Sequence, residues 1–510
     1  MNSIPESTLL QLQTLLDSVA AGELPKGELQ QQTRGFLAAE SDYVNGILAT
    51  LGPLIHQLPQ DFVDTLGSEI QRVINLKNLE LDEQNLDFVE EALLRSSPSG
   101  RWSWLTLLAT MQSENSLDIF VRELLESPTG DSNLVLKAFA PLMQNPRFEA
   151  DWMFPALFAG INDSILAPIV FDFANFCYRS ETCDEHPAAK KKDQFLALLG
   201  QLAHRLSEIE SDPTAWSSQA EQVSKMISDS VALIVALCDT MALLQYEESI
   251  DVLKKVSQIK HRRIRAESTF ALAKLGVEAG QTGLLDLVVE PVSRLRVIRY
   301  AEELGILDQV EEKYLSDESL AESELALWLS QPNQMGVPPS QIELLKQSTL
   351  FWPGFEDPTD CFLFRFEYRL GENTFANVAI VGPLVHAFVA NLEPFGYEDQ
   401  FAAFAGWQAE HDEIFELDLG SLTPHRQTDL FKLERRLHDF GAESIETRRL
   451  GIFFGEVFAV AHCTVEEKKS IALVDGSDVR VFPLAEERPI DDEVAFCIYK
   501  GTKLIQAFNP

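Results

Sequence analysis

From Ser3 to about Leu329 the apolar residues recur at spacings of three and four, interrupted by short polar or Pro/Gly breaks. That period predicts helix after helix. Asp61 to Leu76 is representative: Phe62, Leu66, Ile70, Val73 and Ile74 share one face, while Asp64, Glu69 and Arg72 lie off it. Ser217 and Ser218 stand where N-caps belong, ahead of the run QAEQVSKMISDSVALIVALCDTMALLQ. Up to Pro98 the helices are shorter, separated by the polar breaks at 22–27 and 77–82, and this segment reads as a cap or first part of the array.

The pattern changes at 331–358, where Pro332, Pro338, Pro339, Pro353 and Pro358 exclude a long helix. Trp352 and Phe355 in that stretch predict a connector packed against something. Beyond it the period becomes two. In DCFLFRFEYRL, Phe362, Phe364, Phe366 and Tyr368 oppose Leu363, Arg365, Glu367 and Arg369, and a turn at 371–373 leads into FANVAIVG, a hairpin signal. Helices are expected over Asp399–Leu417 and Pro424–Phe440, the second capped by Thr423 with proline at its first position. Further strands are expected at RRLGIFFG, EVFAVAHCT, SIALVDG, DVRVFPL, EVAFCIYK and TKLIQAF, the last two joined at Lys500-Gly501. Strands and helices that are segregated in this way indicate an α+β domain with a mainly antiparallel sheet.

An internal similarity marks 263–305. RIRAESTFALAKLG (Arg263–Gly276) is followed by RLRVIRYAEELG (Arg294–Gly305), each an arginine-led helix closed by a glycine able to adopt the left-handed conformation. Between them LLDLVVEP supplies a second helix and a proline stop. A helix pair of about 30 residues cannot bury its apolar face alone and must stack on a neighbour. These residues resemble HEAT-type repeats, particularly the short variety of phycobilisome lyases. The likeness extends through 100–260 as helix pairs without a repeated fingerprint, for which an irregular α-bundle is the other arrangement. The expected fold is therefore mainly α: a helical-repeat, HEAT-like α-solenoid followed by a C-terminal α+β domain. The segments are 1–98, 99–335, a Pro-rich junction at 336–358, and 359–510.

At 510 residues the chain exceeds one hydrophobic core, and 41 Lys+Arg against 79 Asp+Glu give a net charge of −38. Such a surface repels phosphate backbones and anionic headgroups, so neither nucleic acid nor membrane is the expected partner. The basic run Lys254, Lys255, Lys260, His261, Arg262, Arg263 and Arg265 reads as a solvated helix face. The N-terminus lacks a positive region followed by an apolar stretch, and Asp239 breaks the most apolar run, Val231–Leu244. Cys177, Cys183, Cys238, Cys361, Cys463 and Cys497 are irregularly spaced, unlike a disulfide framework, and are expected reduced. A soluble, cytoplasmic protein follows.

No Walker-type loop, GxGxxG, HExxH or G-x-S-x-G occurs. Cys177, Cys183 and His186 gather three soft ligands within ten residues, but the cysteine spacing is wider than zinc sites use, and no metal is expected. His411 lies among Glu410, Asp412, Glu413 and Glu416 on the expected helix, where carboxylates beside an imidazole make an acid/base pair conceivable and a solvated face the plainer reading. His462 and Cys463 are adjacent on a strand, so their side chains point to opposite faces and do not form a catalytic pair. GPLVHAF, Gly382 to Phe388, follows a strand. With a short helix after it, its backbone N–H groups and His386 could receive an anion.

Gly382, His386 and His411 are thus the ligand-binding candidates, with no catalytic residue, metal or cofactor assigned. The function expected is a non-enzymatic protein-interaction scaffold whose partner carries a basic face. The competing reading is an enzyme or small-ligand binder with its site in or beside the C-terminal domain. The repeat resemblance implies, by analogy, lyase-type proteins that handle a tetrapyrrole.

Overall fold

The computed structural model describes residues 4–20, 25–127, 130–144, 146–211, 220–371, 373–484 and 488–509. The chain divides into two compact units, Met1–Leu284 and Leu285–Pro510. The first is helical throughout: α1 (Glu6–Ala20), α2 (Lys26–Ala39), α3 (Val44–Leu51), α4 (Gln60–Lys77), α5 (Leu86–Arg95), α6 (Arg101–Met111), α7 (Glu114–Glu126), α8 (Ser132–Gln144), α9 (Phe154–Leu157), α10 (Leu166–Arg179), α11 (Lys192–Ser211), α12 (Ala220–Leu243), α13 (Ile250–Val256) and α14 (Arg262–Lys274). The division falls inside α15 (Glu278–Asp286).

Packing in the first unit has a regular order. Each even-numbered helix from α2 to α14 packs on the next even-numbered one, while α5 and α7 pack against α6, α11 against α12 and α13 against α14. One apolar core runs continuously from Leu12 to Leu272. The face expected on α4 is buried as expected, and Glu69 is buried too, held by Arg34 of α2 at 3.0 Å and by Arg72 at 2.7 Å. A buried carboxylate so placed costs little only because both guanidiniums reach it. Ser224–Leu243 of α12 is long and apolar enough to cross a membrane, but most of it is buried against α10, α11 and α14, the situation of a core helix. Ser217 and Ser218 lie outside the described residues.

The two arginine-led copies form α14 and α16 (Pro291–Glu303), one in each unit. Their ends match. Gly276 (φ +76°) and Gly305 (φ +69°) are left-handed, and the N–H groups of Val277 and Ile306 reach back to the carbonyls of Leu272 and Ala301. This double closure satisfies the orphan carbonyls of the last turn, and glycine adopts it without a Cβ penalty. Pro291, expected to stop a helix, instead occupies the first turn of α16.

The second unit continues with α17 (Asp317–Leu329) and a first antiparallel sheet in the order β1 (Gln341–Phe351), β2 (Pro358–Leu370), β3 (Asn373–Val381), β4 (His386–Ala387), then α18 (Tyr397–Gln408). A second antiparallel sheet follows, in the order β5 (Ile414–Leu417), β6 (Glu443–Phe453), β7 (Glu456–Val465), β8 (Lys468–Val474), β9 (Val479–Pro483). Within it α19 (Pro424–Phe440) precedes β6, and α20 (Asp492–Phe508) closes the chain. The stretch expected as a junction thus carries β1, and Trp352 after it is buried while Phe355 is exposed.

Three apolar layers result. α17 covers the outer face of the first sheet through Leu325 and Leu329 against Phe362, Phe364 and Phe366. α19 covers the outer face of the second through Leu433 and Leu437 against Ala459, Ala461 and Cys463. Between the inner faces lie α18 and α20, packed on Leu363 and Ile380 from one sheet and on Val460 and Leu473 from the other.

Three expectations are corrected here. EVAFCIYK and TKLIQAF are not strands but the single helix α20. Its residues Val494 to Tyr499 are buried consecutively because sheets cover it on both sides, so the polar stripe that identifies a surface helix is missing. The expected helix at 399–417 stops at Gln408, and Ile414–Leu417 is β5. The short helix expected after Gly382 is absent, and His386 lies in the two-residue strand β4.

The second unit is built twice over on one plan, helix, four strands, helix: α17–β1–β2–β3–β4–α18 and α19–β6–β7–β8–β9–α20. Register confirms the match. Both first strands carry a bulge opposite equivalent residues, between Leu344 and Lys346 on β1 and between Thr447 and Arg449 on β6. Leu344 pairs with Phe364 and Thr447 with Ala461, whose own partners are Ala379 and Ala472, two residues before the ends of β3 and β8. The central helices share F-x-x-[FY]-x-G in Phe401–Gly406 and Phe496–Gly501. Their glycines interlock reciprocally: a Cβ on Gly406 would stand 1.9 Å from the carbonyl oxygen of Cys497, and one on Gly501 would stand 1.8 Å from that of Ala402. Such reciprocity is what a local two-fold axis through the crossing produces.

Candidate functional site

A cleft of about 950 Å³ opens in the second unit where β1, the first turn of α18, the β8–β9 turn and the last turns of α20 converge. Its apolar wall includes Leu350, Phe401, Leu473 and Ile505; its charged groups include Lys346, Arg480 and Lys503. α18 and α20, which supply two of these walls, are joined to each other at their interlocked glycines.

Asp475 is the anchor at the cleft's base, 1% exposed. One of its oxygens accepts from Ser477 N–H (2.7 Å), Ser477 Oγ (2.8 Å) and Asp478 N–H (2.7 Å), and the other accepts from Tyr499 Oη (2.9 Å) and Lys503 Nζ (3.0 Å). Burial opposes the carboxylate's charge, but these donors win and hold its pKa well below the usual range. Burial, followed by the bond to Asp475, pushes the Tyr499 hydroxyl up from its ordinary value. Neither group exchanges protons near neutral pH, so the pair is suited to shaping the cleft rather than to acid–base work. Arg480 is bound to Asp399 and lies 3.4 Å from Thr502 Oγ1. Lys346, by contrast, is exposed and makes no ion pair among the described residues.

The residues singled out by sequence fall elsewhere. Gly382 has φ +132°, and a Cβ there would lie 2.0 Å from the carbonyl oxygen of Asp360, so it serves a close backbone approach. His386 stacks on Trp407 with ring centroids 4.0 Å apart and planes 12° apart, flanked by Phe388 and Phe404. Burial lowers its pKa to about 4, so it is neutral and a poor anion receptor at neutral pH. His411 is exposed in the turn after α18, accepting from Glu413 N–H at 3.1 Å and resting on Phe454. Gly382 and His386 belong to the β3–β4 corner and His411 to the lead-in of β5.

Other candidates are accounted for by structure. His186 is buried; Nδ1 accepts from Ala188 N–H (3.1 Å), which leaves Nε2–H to donate to Asn175 Oδ1 (3.1 Å), and burial lowers its pKa to about 4. Asn175 in turn ties α10 to α12 through Ala236, Asp239 and Thr240. Among the described residues no group of His, Cys, Asp and Glu is arranged to hold a metal, and all six cysteines are free and buried. Cys463 faces α19 while His462, on the opposite side of β7, is 2.6 Å from Asp492 at the start of α20. In the basic run, Lys260 N–H donates to Glu210 and Lys254 approaches Asp251, as on a solvated face.

Sequence reading missed the cleft because it assembles residues from 346 to 509 and because α20 read as strands. The signal that could have found it is the repeated F-x-x-[FY]-x-G. No family model, no curated protein and no solved structure matches the chain.

Proposed function

We propose that the chain is a non-catalytic protein-binding scaffold in which the first unit is a HEAT-like α-solenoid and the second supplies a further recognition surface. The observation that carries this reading is the unbroken succession in which every second helix from α2 to α14 packs on the next. Stacked helix pairs bury one shared core and leave a long surface whose area, rather than any single residue, provides affinity. Exposed Leu76, Leu94 and Leu136 stand on that surface as apolar contact points. The −38 charge suits a partner with a basic face.

The test uses the full chain as bait, cross-linked in its native cell extract and mapped by mass spectrometry. Cross-links from a recurrent partner to residues within 4–284 are expected. A recurrent partner linked only to 285–509 would contradict the reading.

A second reading, a small-ligand site, is favoured by the volume of the cleft, near the upper end of the roughly 300–1,000 Å³ of ligand pockets.

A further inference from the structure

The two halves of the second unit differ at one strand. β6 is paired on both sides, with β7 and with β5, while among the described residues β1 is paired with β2 alone and its other edge borders the cleft. The repeat relates the two strands residue by residue: Lys346 corresponds to Arg449, Ser348 to Gly451, Leu350 to Phe453 and Phe351 to Phe454. On β6 the outward N–H of Phe454 donates to the backbone carbonyl of Glu413 at 3.1 Å, the residue leading into β5. On β1 the outward N–H of Phe351 donates to the side chain of Asn509 at 2.8 Å, and Asn509 Nδ2 donates back to the Phe351 carbonyl at 3.0 Å. One side-chain amide thus takes the place that a peptide group of an added strand takes in the other half. By the two-residue alternation of an antiparallel ladder, Thr349 and Gln347 turn their N–H and C=O the same way, into solvent.

We propose that the free edge of β1 binds an extended segment of a partner protein by strand addition, as β5 is added to β6, with an apolar residue and a carboxylate two positions later directed into the cleft. β5 supplies the template. Ile414 lies opposite Phe453 and packs among the central apolar residues, and Glu416, opposite Gly451, binds Arg449. Transferred to β1, the apolar residue lies opposite Leu350 and the carboxylate reaches Lys346, a cation of the cleft that makes no ion pair among the described residues. Backbone pairing provides the affinity and the alternate side chains the selectivity. The inference rests on the protein-binding reading and specifies one surface of it.

The probe is the labelled peptide DEIFELDL, a copy of Asp412–Leu419, titrated against the full chain by fluorescence anisotropy. Saturable binding is expected, weakened at least about ten-fold by N-methylation of alternate peptide amides or by Lys346→Glu, with DEIFKLDL restoring binding to K346E. N-methylation alters only the peptide, so its effect is independent of any folding defect. Absence of binding, binding indifferent to N-methylation, binding that responds to Arg449→Glu rather than K346E and so marks exchange of β5, or β1-mediated dimerisation that excludes the peptide would each overturn the site. A partner that still cross-links to the first unit in K346E leaves the scaffold reading standing, so the two failures are told apart.

Discussion

In the half of the second unit that runs from α19 to α20, the first strand of the sheet has a neighbour on each side; in the half from α17 to α18 it has one. The two strands correspond in the bulge at Leu344/Lys346 and Thr447/Arg449 and in the outward N–H at the end, while β6 has a further irregularity between Glu443 and Glu446 that β1 lacks. A repeated plan therefore supplies its own control: what covers β6 shows what β1 lacks. The corner after the third strand differs as well. Asp475, with its five donors, occupies the position of Gly382, and the Arg480–Thr502 contact occupies that of the His386–Trp407 stack. One corner is charged and hydrogen-bonded and opens on the cleft, while the other is aromatic and filled.

The largest expected effect attacks what the halves share. Gly406→Val and Gly501→Val each drive a side chain into a facing backbone carbonyl that cannot retreat, and each should cost more than about 4 kcal/mol. Denaturant unfolding should show the second unit's transition lost or strongly shifted to a similar extent in both, and a large inequality between them would break the two-fold correspondence.

Next in size is the contact that joins α16 to the first helix of the first half. Arg294, 3% exposed, donates to the carbonyls of Val288 and Ser319 and to Glu322, binding α16 to α17. Arg294→Met strands Glu322 and the carbonyls of Val288, Val289 and Ser319 and should cost about 3–5 kcal/mol by the same measurement.

Asp475→Asn should cost about 1–3 kcal/mol, since Lys503 loses its counterion and the anchor of the cleft weakens. Asp475 has a folded-state pKa below the unfolded value of about 3.9, so its stabilisation is complete above that value and fades as pH falls beneath it. The variant should lack this acid limb. Gly382 has no such group to lose.

The smallest effect separates the two corners by pH. His386 titrates at about 4 when folded and at about 6.5 when unfolded, so the unfolded chain takes up the proton first and stability falls as pH drops through that window. His386→Phe should flatten that fall in part. His186, also lowered to about 4 by burial, and His261, lowered chiefly by burial, sustain part of the fall, and Asp172, raised to about 6 by burial, opposes it.

How much of this was legible in the sequence follows from how each element is buried. α4 declares itself because one face meets water and the other the core. β2 and β3 do so because α17 and the central helices demand different residues on alternate positions. α20 does not, because it is enclosed on both sides and its Val, Ile, Phe and Tyr carry the composition of a strand. Gly501 reads as a turn in isolation, and only the facing carbonyl of Ala402 shows why a helix needs glycine there. The candidate histidines were visible as chemistry, yet their surroundings, Trp407 beside His386 and Phe454 under the solvent-exposed His411, come from residues distant in the chain. The cleft was beyond reach for the same reason, since its walls meet only through α18 and α20.

Amide hydrogen exchange reads directly whether β1 has an open edge of the kind that β5 closes on β6. The N–H groups of Gln347 and Thr349 should exchange far faster than those of Leu450 and Ile452 in the free protein and become protected when DEIFELDL is added. Equal protection of the two strands before addition, or no change after saturation with the peptide, would contradict it.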